Sequence, residues 1–460
     1  GSAPHPPTSP PISEQDPQAW WDALVEAFSQ LGKLRNSVVA ISVAAQQHGL
    51  VLADANGHPL RKAKLWNDLS SADQAERLVS EIGMKAWVEA VGSVPVAAFT
   101  ITKLAWIAQH EPHLLDETEY VLLPHDWLNF RLTGRACTDR GDASGTGWYS
   151  STKDQVRLDL LEAATGSRGK WLARLPSVLG PMSPAGTLTS EAATMLGLAN
   201  SVLVGPGTGD NMAAALGLGL SIGDIALSLG TSGTVYSVSA QSTADRFGLV
   251  AGFADATGNY LPLACTLNAT RVTDTVAEWL NTDPSGLSEM ALNADLGSPG
   301  PTLLPYFDGE RTPNLPEAAG ILSGLTTETS REQIALAAHD GVLCGLLSGL
   351  DALLQAGVRA NGRLHLIGGG SRSMTYRQRC ADLHGRPILV PDTQEVVAAG
   401  AAVQAAMVQN NRSPTELADA WNLGSGTLIE PHNDTSEVRD SYRAAAEHTA
   451  EDWPSTRGCT

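Results

Sequence analysis

Apolar residues follow helical spacing and then strand spacing over the first part of the chain. After Asp16-Pro17, a pair that suits the start of a helix, apolar residues recur at helical intervals from Trp20 to Leu31. The small and β-branched run Val38–Ala45 predicts a buried strand, and Leu50–Ala53 predicts a second one. Gln46-Gln47-His48-Gly49 lies between them. The pattern therefore places polar residues at the end of a strand, where α/β proteins commonly bind ligands.

The second half of the chain opens with a strand–loop–strand pattern. Two short apolar runs, Ile225–Leu229 and Val235–Val238, flank Gly230-Thr231-Ser232-Gly233-Thr234 and predict a hairpin with a glycine-rich and hydroxyl-rich tip. Farther on, the predicted strand Leu364–Ile367 runs into Gly368-Gly369-Gly370. The other predicted elements are the helices Gln333–Ala356, Met374–Leu383 and Val396–Gln409 and the strand Ile388–Val390. This alternation predicts an α/β fold.

The middle of the chain combines short helices with a long polar segment. Helices are predicted over Lys103–His110 and over Pro124–Leu132, the latter closed by Gly134. Thr138–Tyr149 is dense in Asp, Gly, Ser and Thr, so we expect it to be a loop. Long polar loops that are not of low complexity are more often functional than accidental.

Composition narrows the classes of function. A chain of 460 residues predicts two or three domains, and 43% apolar residues are enough for sizeable cores. The charge balance, 30 Lys and Arg against 49 Asp and Glu, gives a net charge of −19. This argues against nucleic acid and anionic membranes as partners, because both attract basic proteins. No uninterrupted apolar run reaches the roughly 18 residues that a membrane-spanning helix needs, and the five scattered cysteines include no CxxC pair. We therefore expect a cytoplasmic protein.

Asp210 is the first candidate for chemistry. The segment Gly207-Thr208-Gly209-Asp210-Asn211 follows the strand predicted at Ser201–Val204 and precedes the small-residue helix Met212–Leu216. This order puts Asp210 at a strand-to-helix junction, where a carboxylate can accept a proton from a substrate hydroxyl. The alternative is that Asp210 only caps the helix through its side chain. The local pattern leaves both readings open.

Two glycine-rich loops are candidates for binding a nucleotide. Backbone N–H groups can converge on a phosphate at Gly230–Thr234, where the hydroxyl side chains add donors. The alternative there is an ordinary hairpin turn. Gly368–Gly370 stands between a strand and a helix, so a nucleotide can approach the backbone at the start of that helix. A triple glycine is weak evidence by itself.

Two polar segments suit a sugar. Gln46-Gln47-His48-Gly49 can hydrogen-bond a polyol, although a lone histidine at a strand end is more often structural. Trp66-Asn67-Asp68 combines an aromatic wall with an amide and a carboxylate. The alternative for this second segment is a turn packed by Trp66.

In chain order these segments resemble the FGGY carbohydrate kinases and are most similar to the xylulokinases among them. The resemblance runs from about Asp16 to Gln409. Its further matching blocks are Phe99-Thr100 with Lys103-Leu104-Ala105-Trp106, Pro124-His125-Asp126-Trp127, Thr138-Asp139 with Asp142-Ala143-Ser144-Gly145-Thr146, Gly309-Glu310-Arg311-Thr312-Pro313, and Gly320-Ile321-Leu322-Ser323-Gly324-Leu325 with Gln333-Ile334.

The resemblance implies a role for each candidate. Asp210 is expected to be the general base that deprotonates the sugar hydroxyl. The residues expected to bind the sugar are Gln47, His48, Gly49, Trp66 and Asn211. The residues expected to bind the nucleotide are Gly230, Thr231, Ser232, Gly233, Gly368, Gly369, Gly370, Ser373 and Gln378.

The resemblance also implies an architecture and a reaction. It implies the two-domain sugar kinase, heat-shock protein 70 and actin-like fold, which is related to ribonuclease H and has an interdomain cleft. A sugar-binding domain is expected over residues 1–222 and a nucleotide-binding domain over residues 223–460. The expected reaction is the ATP-dependent phosphorylation of a ketose, foremost D-xylulose to D-xylulose 5-phosphate. ATP and Mg²⁺ are the expected cofactors, with no residues assigned to the metal. A sugar and ATP are the expected partners, and the family allows a homodimer.

The sequence departs from the family in several places. Ala45 and Ala98 stand where the family has glycine, and Ser70 stands where many relatives have arginine. The family also begins with a strand and an Asp-x-Gly-[Thr/Ser] hairpin that binds phosphate, and nothing before Asp16 matches it. We therefore expect this chain by itself to transfer phosphate poorly while binding nucleotide. The alternative function is that of a catalytically impaired, sugar-binding regulator.

Overall fold

The computed structural model describes residues 1–4, 6–8, 11–166, 170–296 and 300–452. They form two compact units, each made of separate stretches of chain. The first unit comprises Gly1–Leu220, Ala240–Leu261 and Glu395–Gly424, and the second comprises Ser221–Ser239, Pro262–Gln394 and the chain from Ser425 onward. The predicted boundary between residues 222 and 223 stays a prediction, and the two inserted stretches of the first unit add a discontinuity that the sequence reading did not include.

The first unit is built from many short elements. Its α-helices are Pro17–Ser29, Ala72–Ile82, Met84–Val91, Thr100–His110, Pro112–Glu117, Pro124–Thr133, Arg140–Ala143, Leu158–Thr165, Trp171–Arg174, Ser190–Leu196, Asp210–Gly217, Val396–Asn410 and Pro414–Trp421, with a 3-10 helix at Gly32–Ser37. Its strands are Glu14–Gln15, Ala40–Ile41, Ala44–Ala45, Val51–Ala53, Ala63–Lys64, Tyr120–Leu122, Cys137–Asp139, Tyr149–Ser150, Gln155–Val156, Ser177–Leu179, Gly186–Thr187, Leu203–Val204, Thr208–Gly209 and Ala251–Ala254.

The first predicted helix is confirmed, and its start follows the expected chemistry. The helix Pro17–Ser29 has Pro17 in its first turn, and the Asp16 carboxylate accepts a hydrogen bond from the Gln18 N–H. Its apolar face contributes Trp21 to a core that also contains Trp127, and both indoles are almost fully buried. Burial of such large side chains supplies much of the stability of this unit.

The predicted strand Val38–Ala45 is present as two pieces, Ala40–Ile41 and Ala44–Ala45. Ser42 interrupts it, and its hydroxyl donates to the Gln404 side-chain oxygen at 2.5 Å. Ala40–Ile41 pairs in parallel with Leu203–Val204, and Ala44–Ala45 pairs in parallel with Thr208–Gly209. These two pairs place the ends of the strands before Gln46 and before Asp210 side by side.

The prediction of a loop over Thr138–Tyr149 is wrong. The segment contains part of the strand Cys137–Asp139 and the short helix Arg140–Ala143. The Asp139 carboxylate caps this helix by accepting the backbone N–H groups of Gly141 and Asp142 at 2.9 Å each. Asp and Gly favour loops in a propensity reading, but here the buried cap satisfies the backbone and makes the turn helical.

The second unit is organised around one sheet. Its α-helices are Thr270–Trp279, Pro284–Leu292, Arg331–Gln355, Met374–His384 and Ser436–Asp452, with a 3-10 helix at Gly369–Arg372. Its sheet strands, in spatial order, are Tyr260–Thr266 (in this unit from Pro262 on), Gly233–Ser237, Ile225–Leu229, Leu364–Ile367, Ile388–Pro391 and Gly426–Ile429. A separate pair consists of Thr302–Leu304 and Ile321–Ser323.

The pairing inside this sheet brings the two glycine-rich loops to one edge. Ile225–Leu229 and Gly233–Ser237 form the predicted antiparallel hairpin. Ile225–Leu229 also pairs in parallel with Leu364–Ile367. Because parallel neighbours end at the same edge of a sheet, the loop after Leu229 and the turn after Ile367 lie next to each other.

The long predicted helix is confirmed as Arg331–Gln355. By length and composition alone it is apolar enough to cross a membrane, but 78% of its most apolar stretch is buried within the protein. A helix at the centre of a folded unit has the same composition.

Candidate functional site

The sugar-site candidates of the first unit meet where two parallel strands end. Ala45 lies opposite Gly209 in the strand pair, so Gln46-Gln47 and Asp210-Asn211 leave it together. The Gln47 side-chain oxygen accepts a hydrogen bond from the Asn211 side-chain nitrogen at 2.7 Å. Residues that are 164 positions apart are thus in direct contact, as the sequence reading requires.

Asp210 is the first residue of the helix Asp210–Gly217, and it is half-buried. Its Oδ1 accepts from the Asn211 backbone N–H at 2.8 Å and from the Asn211 side-chain nitrogen at 3.1 Å. Burial raises the pKa of Asp210 to about 6, although these hydrogen bonds oppose the shift. The carboxylate is therefore ionised at neutral pH and basic enough to accept a proton from a hydroxyl. Asp210 is not the capping residue, because Gly209 occupies that position without a side-chain cap, so the capping alternative is not what the structure shows.

The helix Asp210–Gly217 packs unusually closely against the helix Val396–Asn410. A side-chain carbon added at Gly400 would lie 1.7 Å from the Ala213 carbonyl oxygen, and one added at Gly217 would lie 2.0 Å from the Val396 oxygen. Glycine is required at both positions, because any side chain would push Asp210–Gly217 away from Val396–Asn410. The neighbouring helix also carries Gln404, whose amide donates to the Gly207 carbonyl at 2.9 Å.

His48 is held in a strained and enclosed position. Its backbone has φ = +64°, a left-handed conformation that is uncommon outside glycine and is often found at functional sites. Its ring stacks on Phe99 at 5.4 Å between centroids and lies 5.1 Å from the ring of Phe253. The Thr100 hydroxyl donates to the His48 carbonyl at 3.2 Å. The matching block Phe99-Thr100 therefore positions His48.

The block around Gly145 completes this enclosure. A side-chain carbon at Gly145 would lie 1.9 Å from the His48 ring, so the ring occupies the space that a side chain would need. The Ser144 hydroxyl oxygen accepts the Ala254 backbone N–H at 2.9 Å, which ties the segment carrying Phe253 to the same block. Sequence reasoning missed Phe253, since only the fold brings residues 240–261 to this place.

The other sugar-site candidates lie close to this group or at its margin. Gly49 follows His48 and packs against the ring of Pro124. Trp66 is 36% exposed, and nothing in its surroundings tests its predicted role, which stays a prediction. In the same segment Asp68 is fully buried and accepts the Ser13 backbone N–H at 2.7 Å. Ser70, the departure from the family arginine, accepts a hydrogen bond from the Lys64 ammonium at 2.7 Å. Within Trp66-Asn67-Asp68, Asp68 therefore has a structural role.

A buried cluster of charges, missed by the sequence reading, lies behind His48. His125 Nδ1 is 2.9 Å from Asp142 Oδ2, and His125 Nε2 is 3.0 Å from Asp126 Oδ1. Asp139 lies 3.8 Å from His125 Nε2 and accepts the Thr208 hydroxyl at 2.8 Å. The carboxylates and their hydrogen bonds raise the pKa of His125 well above its usual value, against the effect of burial. Burial raises the pKa of Asp139 and that of Asp142 to about 6 each.

In the second unit, the structure brings together the two glycine-rich loops. The Gly230 carbonyl accepts the Thr270 N–H at 3.0 Å, and the Thr231 carbonyl accepts the Ala269 N–H at 3.3 Å. A side-chain carbon at Gly370 would lie 2.8 Å from Leu229 and 2.9 Å from Thr270. The loop Gly230–Gly233, the glycine turn and the start of the helix Thr270–Trp279 therefore form one group, as expected for a phosphate-binding edge.

The three glycines of the turn differ in what surrounds them. A side-chain carbon at Gly368 would collide with the Leu229 backbone at 2.5 Å, so packing alone requires glycine there. At Gly369 an added carbon meets no atom of the described residues within 4 Å. Gly369 therefore faces open space, which a ligand can fill.

Ser373 and Gln378 lie on the helix that follows this turn. Ser373 caps the helix Met374–His384, and its hydroxyl is 2.9 Å from that of Ser288. The Gln378 side-chain nitrogen donates to Asp382 at 2.9 Å and to the Glu430 carbonyl at 3.0 Å. Both roles in nucleotide binding stay predictions. Ser288 also lies at this position, and nothing in the sequence around it indicates a role in the site.

The described residues contain no group of three or more His, Cys, Asp or Glu side chains that is arranged to hold a metal ion. The buried cluster around His125 does not provide one, because its imidazole engages the carboxylates directly.

Comparison with known proteins agrees with this geometry. Residues 3–217 match the N-terminal domain of the FGGY family of carbohydrate kinases, and residues 225–408 match its C-terminal domain. The chain is 46% identical over 441 residues to a xylulose kinase of Streptomyces rubiginosus, covering 96% of this chain and 89% of the relative. It is 35% identical over 393 residues to the xylulose kinase of Escherichia coli K12, covering 84% and 79%.

Solved structures agree as well. The crystal structure of xylulose kinase from Bifidobacterium adolescentis superposes with a TM-score of 0.83 at 38% identity, covering 96% of this chain and 93% of that one. A glycerol kinase from Plasmodium falciparum has a TM-score of 0.85 at 19% identity, covering 98% of this chain and 92% of that one, and shows the shared fold. The predicted two-domain sugar kinase and actin-like fold is confirmed. With both of its domains matched, this chain belongs to the FGGY family of carbohydrate kinases.

Proposed function

We propose that this enzyme transfers the γ-phosphoryl group of ATP to D-xylulose and forms D-xylulose 5-phosphate. The relatives of highest identity described above are xylulose kinases. The single observation that carries the proposal is the position of Asp210. It is a half-buried carboxylate with a pKa raised to about 6, directly beside the paired amides of Gln47 and Asn211.

In the proposed reaction, the Asp210 carboxylate accepts the proton of the terminal sugar hydroxyl. The freed oxygen forms a bond to the γ-phosphorus, and the bond between that phosphorus and the bridging oxygen of ADP breaks. Asn211 donates both its backbone and side-chain N–H groups to Asp210, which holds the carboxylate in place. The enclosed ring of His48 and the amide of Gln47 orient the sugar on the same side.

We propose that ATP binds the edge formed by Gly230–Gly233 and Gly368–Gly370. Backbone N–H groups and the hydroxyls of Thr231 and Ser232 are suited to the phosphate oxygens, and the open space at Gly369 is suited to the nucleotide. Mg²⁺ would arrive bound to the ATP oxygens and keep most of its water ligands, as Mg²⁺ does in many phosphoryl-transfer sites. Bound in this way, it would neutralise the charge that develops on the transferring phosphate.

We also propose that the enzyme works in the cytoplasm as a small-molecule kinase. Four cysteines of the described chain, Cys137, Cys265, Cys344 and Cys380, are free and buried, as in a reducing compartment. The predicted homodimer can be checked by sedimentation of the purified chain.

The test of the function is the substitution Asp210→Asn. We expect it to keep D-xylulose binding within an order of magnitude and to lower turnover by at least roughly 10²-fold, because general-base catalysis is usually worth that much. The matched control is Asp116→Asn, which removes an exposed carboxylate from the same unit and should leave turnover unchanged. Turnover of Asp210→Asn close to that of the unmodified enzyme would remove Asp210 from this role.

A further inference from the structure

The Asp142 carboxylate lies between two buried imidazoles. Its Oδ2 is 2.9 Å from His125 Nδ1, and its Oδ1 is 3.8 Å from His48 Nδ1. Asp142 and His125 are fully buried, and His48 is 8% exposed. The first distance is a hydrogen bond, whereas the second is an electrostatic contact that is slightly too long for one. Asp142 therefore joins the buried charge cluster to the histidine of the predicted sugar site.

His125 has a carboxylate at each of its ring nitrogens. Asp142 faces Nδ1, and Asp126 faces Nε2 at 3.0 Å. The contact at Nδ1 is a hydrogen bond, whereas the one at Nε2 is a close electrostatic contact without hydrogen-bond geometry. Negative oxygens at both nitrogens favour the doubly protonated ring. His125 is thus an imidazolium that compensates the Oδ2 side of Asp142. The Oδ1 side remains directed toward His48.

A neutral imidazole has one N–H group and one acceptor nitrogen. A negative oxygen 3.8 Å from His48 Nδ1 favours the proton on that nitrogen over the proton on Nε2. The ring cannot easily turn over to exchange the two nitrogens, because Phe99, Phe253 and Gly145 enclose it. The carboxylate therefore favours the Nδ1–H tautomer, and the enclosing residues keep Nδ1 on the side of that carboxylate.

We propose that Asp142 is a positioning residue that keeps the His48 proton on Nδ1 and so makes Nε2 a hydrogen-bond acceptor for a substrate hydroxyl. The substrate part of this inference rests on the proposed function. The ligand that His48 would bind is a polyol, one of whose hydroxyl groups donates a hydrogen bond to the imidazole. Asp142 does not touch the substrate, and it acts through His48.

The test is nitrogen-15 NMR of the full chain with labelled histidine, because two-bond couplings distinguish an Nδ1–H from an Nε2–H imidazole. The His48 signals are assigned by their loss in His48→Gln. We expect the Nδ1–H form in the unmodified protein and a population shifted toward Nε2–H in Asp142→Asn. The KM for the sugar should rise about tenfold in Asp142→Asn, the worth of one hydrogen bond, with the KM for ATP unchanged.

The matched control is Asp126→Asn. It neutralises a carboxylate of the same cluster on the far side of His125, so it should cost stability while leaving the His48 form unchanged. A merely structural role for Asp142 predicts equal effects of the two variants on stability and no change in the His48 signals, and that result would overturn the proposal.

The measurement on the unmodified protein needs no Asp142 variant and no known substrate, only the His48→Gln spectrum for assignment. An Nε2–H or doubly protonated His48 in that spectrum would also overturn the proposal. If the spectrum agrees but the enzyme phosphorylates a sugar other than D-xylulose, the proposed function fails while the role of Asp142 stands.

Discussion

Two opposing local effects set the pKa of Asp210. Burial disfavours its charged form, and the N–H groups of Asn211 favour it, with burial dominating and raising the pKa to about 6. A base must be unprotonated to work, so a carboxyl with this pKa is ready above pH 6 and disabled below it. The same residue in open water would be ionised down to about pH 4 but would be a much weaker base.

Acidification through about pH 6 should slow the reaction. As pH falls through about 6, Asp210 gains a proton and kcat/KM for the sugar should decline in proportion to the ionised fraction. The measurement is the pH–rate profile between pH 5 and 8 at saturating ATP. Asp210→Asn controls for the titration of ATP itself, because its residual rate should lack this acid limb. An unchanged limb in that variant would assign the titration to another group.

At the residue scale, the sequence identifies the candidate site residues more successfully than it identifies the residues that surround them. Asp210, Asn211 and Gln47 were singled out from local patterns, and the structure brings them into contact. The roles themselves stay predictions. The charges around His125 were not predicted, because they come from separate segments that only the folded unit joins. No local spacing encodes such a cluster.

The packing of the helix Asp210–Gly217 against the helix Val396–Asn410 is the first feature at this scale that can be tested. Gly400→Ala should destabilise the first unit by about 1–3 kcal/mol, because the added carbon collides with the Ala213 carbonyl and overpacked cores cost that much. It should also lower turnover, since the displaced helix carries Asp210. The measurements are denaturant unfolding and turnover.

The matched control for Gly400 is Gly349→Ala in the helix Arg331–Gln355. An added carbon there makes only ordinary contacts, at 3.4 Å. Alanine is intrinsically favoured over glycine in a helix by up to about 1 kcal/mol, so this variant should be neutral or more stable. Equal losses in the two variants would show that the helix contact is not specific.

The glycine turn of the second unit is the other testable element. Gly369→Val places side-chain atoms into the open space at the turn, so we expect the KM for ATP to rise at least about tenfold with little effect on sugar affinity. Gly300→Val is the matched control, because a carbon added at Gly300 also meets no described atom within 4 Å. A loss of sugar affinity with an unchanged KM for ATP would contradict the nucleotide assignment.

At the element scale, predictions succeeded where the local pattern and the fold agree. The hairpin Ile225–Leu229 and Gly233–Ser237 and the strand Leu364–Ile367 are present as expected, because their apolar runs are buried in one sheet. The strand over Val38–Ala45 is divided because Ser42 bonds to a residue more than 350 positions away. The loop over Thr138–Tyr149 became partly helical because the buried Asp139 caps it.

At the scale of the whole molecule, each unit is assembled from distant stretches of chain. The first unit takes Phe253 from Ala240–Leu261 and Gln404 from Glu395–Gly424, and both residues contact the site described above. The chain therefore has to pass through the second unit and return before the predicted sugar site has all of these neighbours. A reading along the sequence places a single boundary near residue 222 and cannot foresee these returns.

The most direct test of the proposed D-xylulose kinase activity is ADP formation by the purified chain over a panel of ketoses and polyols. The panel includes D-xylulose, D-ribulose, D-fructose, xylitol and glycerol, each compared with a sugar-free background. We expect the largest increase over background with D-xylulose, formation of D-xylulose 5-phosphate, and a loss of at least roughly 10²-fold in Asp210→Asn. ATP binding without any D-xylulose-dependent ADP formation, or an equal increase with every sugar, would contradict the proposed activity.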